Sequence, residues 1–268
     1  MELWQAVVLG FVEGLTEYLP VSSTAHLLVA QRLMGIAPDR ASNAYAVAIQ
    51  GGAIAAVLVL YRHRLAQLCR GLFGRDPSGA RLALSILVAF LPAAVAGLAF
   101  DDLLERYLFG PLPIAAAWAA GGLLLLAVSS RLSPGGTRLE AVSIRAALII
   151  GLCQCAALWP GVSRSLATIL AGVSVGLSLS AAVEFSFLLG LITLGAATSY
   201  KAIESGPAML EAYGVAEIAA GFLTAWVAAM VSVFWMVQWL QRRRLAVFGW
   251  WRLAAAAAVG WLAWTDRL

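Results

Sequence analysis

Two polar clusters interrupt hydrophobic runs of this chain, and both consist of residue types that bind phosphate or move protons. The first holds Glu13, Glu17, Ser22, Ser23, Thr24 and His26, and the second holds Ser163, Arg164, Ser165 and Thr168. Glu13 and Glu17 are four residues apart and share a helical face, where two carboxylates in low dielectric either share a proton or hold a cation. Mg²⁺ commonly takes one or two carboxylates together with phosphate oxygens, so a divalent cation, Mg²⁺ or Ca²⁺, bridging this pair to a diphosphate is chemically natural. A proton-sharing pair, or one carboxylate neutralised by Arg164, is the alternative. His26 follows Ser23 by three residues, again one helical face. It can serve as nucleophile, as base for a water or as base for Ser23, while a satisfied hydrogen-bonding histidine is the plainer reading.

Arg164 is the best phosphate ligand of the set, since a planar guanidinium binds phosphate oxygens in pairs and stays charged in any environment. Its plainer reading is an ion pair with Glu13, Glu17 or Glu184. Ser22, Thr24, Ser163, Ser165 and Thr168 are candidate donors to phosphate oxygens, against back-bonding within their own helices. Gln50 and Glu184 sit on the apolar runs that follow each cluster, where they either line a cavity or join helices.

The elements that position these residues can be read locally. Residues 3–18 have helical composition, Pro20 stops the run, and Ser22 or Ser23 can cap a second helix. The same grammar recurs where Pro160-Gly161 breaks a helix and Ser163 caps the next. Unwound backbone at membrane depth must line a protein cavity rather than lipid. That cavity would receive two helix N-termini, whose free N–H groups and positive dipole ends favour an anion.

Depth is implied by composition. The 268 residues are 62% hydrophobic and 12% charged, with a mean hydropathy of +0.88, whereas a soluble domain is about 25% charged. Spans of about 20 residues are needed to cross a bilayer. They can be drawn at roughly 43–61, 82–100, 112–130, 181–200, 215–240 and 250–266. Lys and Arg collect on the cytoplasmic side. Placing 61–81, 131–145 and 241–252 inside puts Arg62, Arg64, Arg70, Arg75, Arg81, Arg131, Arg138, Arg145, Arg242, Arg243, Arg244 and Arg252 there. Asp101, Asp102, Glu105, Glu204, Glu211 and Asp266 then fall outside, with both termini. On this reading Arg164 and His26 are the arginine and histidine at membrane depth. Met1-Glu2-Leu3-Trp4 offers no basic start or cleavage site, so no removable signal peptide is expected. The loop arginines suit an anionic inner leaflet, and no basic stripe points to nucleic acid. Cys69, Cys153 and Cys155 form no zinc or disulfide pattern. Trp4, Trp118, Trp250, Trp251 and Trp264 suit an interfacial belt.

A shift of 141 residues superposes the two clusters without a gap: Gly10 on Gly151, Glu13 on Gln154, Val21 on Val162, Ser22 on Ser163 and Thr24 on Ser165. Each cluster is followed by three spans, an odd number, so the second half must enter the membrane from the opposite side. The expectation is an all-α integral membrane protein with six transmembrane helices plus two re-entrant helical hairpins in an inverted-topology repeat. It forms one membrane domain, 1–268, with halves at about 1–131 and 140–268.

The segment from Glu13 through His26, together with Pro160-Gly-Val-Ser-Arg-Ser165, resembles the undecaprenyl-diphosphate phosphatase family, the BacA-type bacitracin-resistance proteins. Ala48-Ile-Gln-Gly-Gly-Ala53, Cys155-Ala-Ala-Leu-Trp-Pro160 and Glu184-Phe-Ser-Phe-Leu-Leu189 extend the likeness over essentially the whole chain. The resemblance implies removal of the terminal phosphate from a C55 polyprenyl diphosphate at the outer face of the bacterial cytoplasmic membrane, with a divalent cation, regenerating the carrier lipid of cell-wall synthesis. Carried over are Glu13, Glu17, Ser23, His26, Ser163, Arg164, Ser165 and Thr168. Two positions depart: Leu166 stands where the family has glycine, which would narrow the pocket, and Leu179 stands near a missing arginine. The choice of nucleophile (His26, Ser23 or water) and the existence of a homodimer stay open. A polyprenyl-phosphate transporter or flippase on the same inverted repeat is the rival reading.

Overall fold

The computed structural model describes residues 1–37, 39–130, 135–242 and 245–265. Arg131, Arg243, Arg244 and Asp266, which the charge pattern assigns to sides of the membrane, lie outside the described residues, as do the side chains of Asp101, Asp102, Glu105 and Arg242. The described chain is helical, in the order α1 (Leu3–Thr16), α2 (Ser23–Leu33), α3 (Arg40–Leu60), α4 (Arg62–Leu72), α5 (Pro77–Leu108), α6 (Pro111–Ser129), α7 (Ile144–Gln154), α8 (Arg164–Ser174), α9 (Leu179–Ala212), α10 (Val215–Arg242) and α11 (Ala246–Trp264). Among the described residues, six helices are long and apolar enough to cross a membrane: α3, α5, α6, α9, α10 and α11. They match the six expected spans. α5 and α9 run on to Leu108 and Ala212, so the acidic stretches expected as outer loops are continuations of helix.

Local chemistry sets the ends. α5 and α6 start on prolines, whose missing N–H costs nothing in a first turn. The Asp76 carboxylate accepts from the N–H groups of Ser78 and Gly79 to cap α5. The broken segments are pairs of shorter helices, α1–α2 and α7–α8, with a 3₁₀ turn over Cys155–Leu158 in the second. Ser22 and Ser163 are the N-cap residues of α2 and α8, and they are the two described non-glycine residues with positive φ, 71° and 75°. A left-handed serine is strained by about 1 to 3 kcal/mol and persists only where its surroundings over-determine it.

Packing partners exchange between the halves. α1 lies along α10 while α7 lies along α5; α3 contacts α10 while α9 contacts α5; α3 pairs with α9, and α6 with α11. Gly10 and Gly151, matched in the sequence repeat, make the same contact on each side. A Cβ on Gly10 would stand 2.3 Å from the Gly221 carbonyl oxygen, and one on Gly151 would stand 2.4 Å from that of Ala89. Only glycine lets these helix backbones touch.

Two sequence expectations change here. Trp118 is not in an interfacial belt: it is 1% exposed, and its Nε1–H donates to the Val21 carbonyl at 2.7 Å. Trp4, Trp250, Trp251 and Trp264 are exposed as a belt requires. Arg252 is not a loop residue of the basic side. It lies inside α11, wholly buried against backbone that the broken segments leave unpaired.

Candidate active site

The two breaks meet. Arg164, in the first turn of α8, crosses to the first broken segment and donates from Nη2 to Glu17 Oε1 at 2.9 Å. Both side chains are nearly enclosed. The Ser23 hydroxyl donates to the other Glu17 oxygen, so one carboxylate joins the arginine of one hairpin to the serine of the other. Arg164 lies against α9 because position 190 is glycine; a Cβ there would come 2.5 Å from its Nη1. Its Nη1 donates to the Ser186 carbonyl at 2.8 Å, and the guanidinium stacks over the Tyr18 ring at 5.7 Å. Its Nε–H is buried with no hydrogen-bond partner among the described residues.

A cavity of about 290 Å³ opens at this junction. Glu17, Ser22, Ser23, Thr24, Ser163 and Arg164 are on its wall. Gln50 and Gln154 are also on its wall. It runs along α5 to Leu104 and Phe109, away from the α4 end. The N-termini of α2 and α8 both reach it, which is the arrangement that binds anions. Glu13, one turn before Glu17, is 1% exposed and is absent from the cavity wall; its carboxylate lies behind it, beside Glu17 and the Gln50 amide.

Some expected site residues stand elsewhere. Ser165 donates to the Leu19 carbonyl at 2.8 Å, fastening one break to the other instead of facing the cavity. The Thr168 hydroxyl stands 2.8 Å from the Arg164 carbonyl and 2.7 Å from the Ser186 hydroxyl, so it supports Arg164 and does not line the cavity. Glu184 is not on the cavity. It takes a hydrogen bond from Arg64 Nε at 2.7 Å at the α4 end, where Arg64 also reaches Glu140. Ser186, two residues further along α9, meets Arg164 instead, because helix neighbours at that spacing do not share a face.

His26 also departs from expectation. It is absent from the cavity wall. Its Nδ1 stands 2.7 Å from the Ser22 carbonyl, which can only accept, so Nδ1 carries the proton. Nε2 is then the acceptor for the Trp251 indole N–H at 3.0 Å, and the ring packs against Trp118 and Trp251. The imidazole thus holds the strained Ser22 from behind. Leu166 does not narrow the cavity either. It is 2% exposed and lines an apolar groove of about 670 Å³ on the far side of α8, with Gly121, Leu124 and Leu170.

Residues that sequence reasoning missed are Tyr18, Gln154, Ser186, Gly190 and Arg252. Gln154 carried a signal, since the repeat superposes it on Glu13. The others are ordinary in type and gain their place only from tertiary contact.

The fold and site define a multi-pass membrane protein with a cavity between two broken helix pairs, lined by an arginine and two helix N-termini. The chain belongs to the bacitracin resistance protein BacA family, whose model matches residues 6–258. It is 45% identical over 264 residues to undecaprenyl-diphosphatase of Sorangium cellulosum, covering 97% of this chain and 86% of the relative. It is 40% identical to undecaprenyl-diphosphatase 2 of Rhodospirillum rubrum, covering 98% and 96%. Against undecaprenyl-diphosphatase 1 of Chromobacterium violaceum the identity is 41%, over 94% and 93%.

Proposed function

We propose that this chain hydrolyses undecaprenyl diphosphate to undecaprenyl phosphate and inorganic phosphate, returning the carrier lipid to cell-wall synthesis and so conferring bacitracin resistance. Family membership and full-length relatives of that name support the activity. The observation that carries the site is the Arg164–Glu17–Ser23 link across the two breaks.

Arg164 and the N-termini of α2 and α8 hold the diphosphate and stabilise charge as it develops. Ser23 is the nucleophile the geometry favours. Its Oγ attacks the terminal phosphorus as Glu17 takes the proton; the bond from phosphorus to the bridging oxygen breaks, and undecaprenyl phosphate leaves. Water then attacks the phosphoserine phosphorus, Glu17 returns its proton to the departing Ser23 Oγ, and inorganic phosphate leaves carrying the hydroxyl and the remaining proton of the water. His26 orients Ser22 in this reading and does not touch the reacting atoms.

A divalent cation, Mg²⁺ or Ca²⁺, would be held by the Glu17 carboxylate on the cavity wall and by the buried Glu13 carboxylate beside it. Two carboxylates against one arginine are balanced by a shared proton or by a cation that displaces it. Glu13 and Glu17 would hold the cation with phosphate oxygens and water, since the described residues offer no cluster of three or more His, Cys, Asp or Glu. When bound, it supplies positive charge to the phosphoryl oxygens.

The outer face of the bacterial cytoplasmic membrane is the side this reading assigns to the cavity. Its wall extends along α5 from Ala93 to Leu104 and Phe109, away from the α4 end, which carries Arg62, Arg64 and Arg70, and basic residues mark the inside. The exchange of packing partners between the halves supports an inverted repeat with re-entrant hairpins. Phosphate release from undecaprenyl diphosphate by the purified protein in detergent tests the reading. No gradient exists there, so a transporter would release none.

A further inference from the structure

Arg252 is the most completely buried cation of the described chain, at 0% exposure, and it has no carboxylate partner among the described residues. The acceptors its guanidinium finds there are backbone carbonyls. Nη1 reaches those of Pro20 at 3.1 Å and Val162 at 3.2 Å; Nη2 reaches those of Gly161 at 2.6 Å and Ala117 at 3.1 Å. An arginine has five N–H donors in a rigid planar fork, which suits several fixed acceptors at once.

The acceptors are not arbitrary. Pro20 and Gly161 are equivalent positions under the 141-residue repeat, and each lies two residues before a left-handed serine that opens a helix at the cavity. Val21 and Val162 are equivalent too. The Val162 carbonyl is taken by Arg252 of α11, and the Val21 carbonyl by Trp118 of α6, the helix that pairs with α11. The halves therefore use counterpart helices to satisfy counterpart carbonyls, and of these two side chains the arginine is the one that reaches carbonyls of both breaks. It does not line the cavity.

We propose that Arg252 is a positioning residue: it locks the two broken segments in register from behind, so that Ser23 and Glu17 of one meet Arg164 of the other. This rests on the proposed function for its kinetic readout. Lysine at this position keeps the charge but offers three donors from one nitrogen, so it cannot serve the four carbonyls that the guanidinium reaches from two. The neighbouring helix offers an independent lever. A Cβ on Gly121 would stand 2.1 Å from Arg252 Nη2 and 2.7 Å from its Cζ, so Gly121→Ala pushes the guanidinium aside while leaving arginine in place. Gly260 of α11 has nothing within 4 Å of an added Cβ and gives a neutral control.

The test compares wild type, Arg252→Lys, Gly121→Ala and Gly260→Ala as purified full-length protein. It measures thermal stability, kcat and KM for undecaprenyl diphosphate, and stabilisation by inorganic pyrophosphate, a probe without a tail. Positioning predicts folded Arg252→Lys and Gly121→Ala proteins with kcat at least tenfold lower and pyrophosphate affinity at least fivefold weaker. Gly260→Ala matches wild type. Either variant keeping kcat within twofold, or losing only in KM, overturns the proposal. If one variant does not fold, the other decides; if neither folds, Arg252 serves folding alone and the positioning role is wrong. A wild type that binds pyrophosphate without releasing phosphate from the lipid sinks the proposed activity, and the pyrophosphate comparison still judges Arg252.

Discussion

Arg164 and Glu17, from opposite halves of the chain, are joined at 2.9 Å, and the same carboxylate holds the Ser23 hydroxyl. The pair is nearly enclosed, so breaking it is more costly than removing it. Taking one partner from a buried pair costs about 3 to 5 kcal/mol, whereas replacing both is often close to neutral. Arg164→Met is therefore expected to lower thermal stability strongly, and Glu17→Gln with Arg164→Met to recover most of it. Both proteins should be inactive. A double variant no more stable than Arg164→Met would show that the ion pair is not what holds the junction.

Glu13 should report the cation separately from catalysis. Mg²⁺ or Ca²⁺ is expected to raise the melting temperature of wild type and leave Glu13→Gln unmoved, because the amide has no charge to offer. A melting temperature that responds equally in both proteins would place the cation elsewhere.

The glycines at equivalent helix contacts make a paired prediction. Gly10→Ala and Gly151→Ala each drive a methyl group into a carbonyl of the facing helix, and overpacking of this kind costs about 1 to 3 kcal/mol. Each should lower stability, and each should reduce activity, since the displaced helices are α1, which leads through Glu13 to Glu17, and α7, which leads into the second break. Thermal unfolding together with phosphate release checks both.

Glu184 should be dispensable for the chemistry. Its bond to Arg64 is partly exposed, and pairs of that kind are worth about 0 to 1 kcal/mol. Glu184→Gln is expected to keep phosphate release within twofold of wild type. A hundredfold loss would return Glu184 to the site.

The site is legible in the sequence where physics leaves few alternatives. Ionisable residues inside apolar runs need a cavity, and proline followed by serine marks a helix restart. Glu17, Ser23 and Arg164 stand out on those grounds, and the structure brings the three together. What composition does not supply is direction. His26 shares a helical face with Ser23 by spacing, yet its ring turns to the Ser22 carbonyl and Trp251. Ser165 and Thr168 look like phosphate donors and instead tie down Leu19 and Ser186. Arg252 follows a basic stretch and two tryptophans, the signature of a membrane boundary, so by sequence its charge belongs with the loop. Its partners are carbonyls, which carry no sequence signal at all.

The most direct test of the central claim is inorganic phosphate release from undecaprenyl diphosphate by wild type, Arg164→Lys and Ser23→Ala, purified in detergent with Mg²⁺. The account predicts turnover by wild type and at least a hundredfold loss in each variant, because a point charge cannot replace the planar guanidinium and the phosphoserine cannot form. Ser23→Ala turning over at the wild-type rate would contradict the assignment of the nucleophile. Arg164→Lys doing so would contradict the site itself.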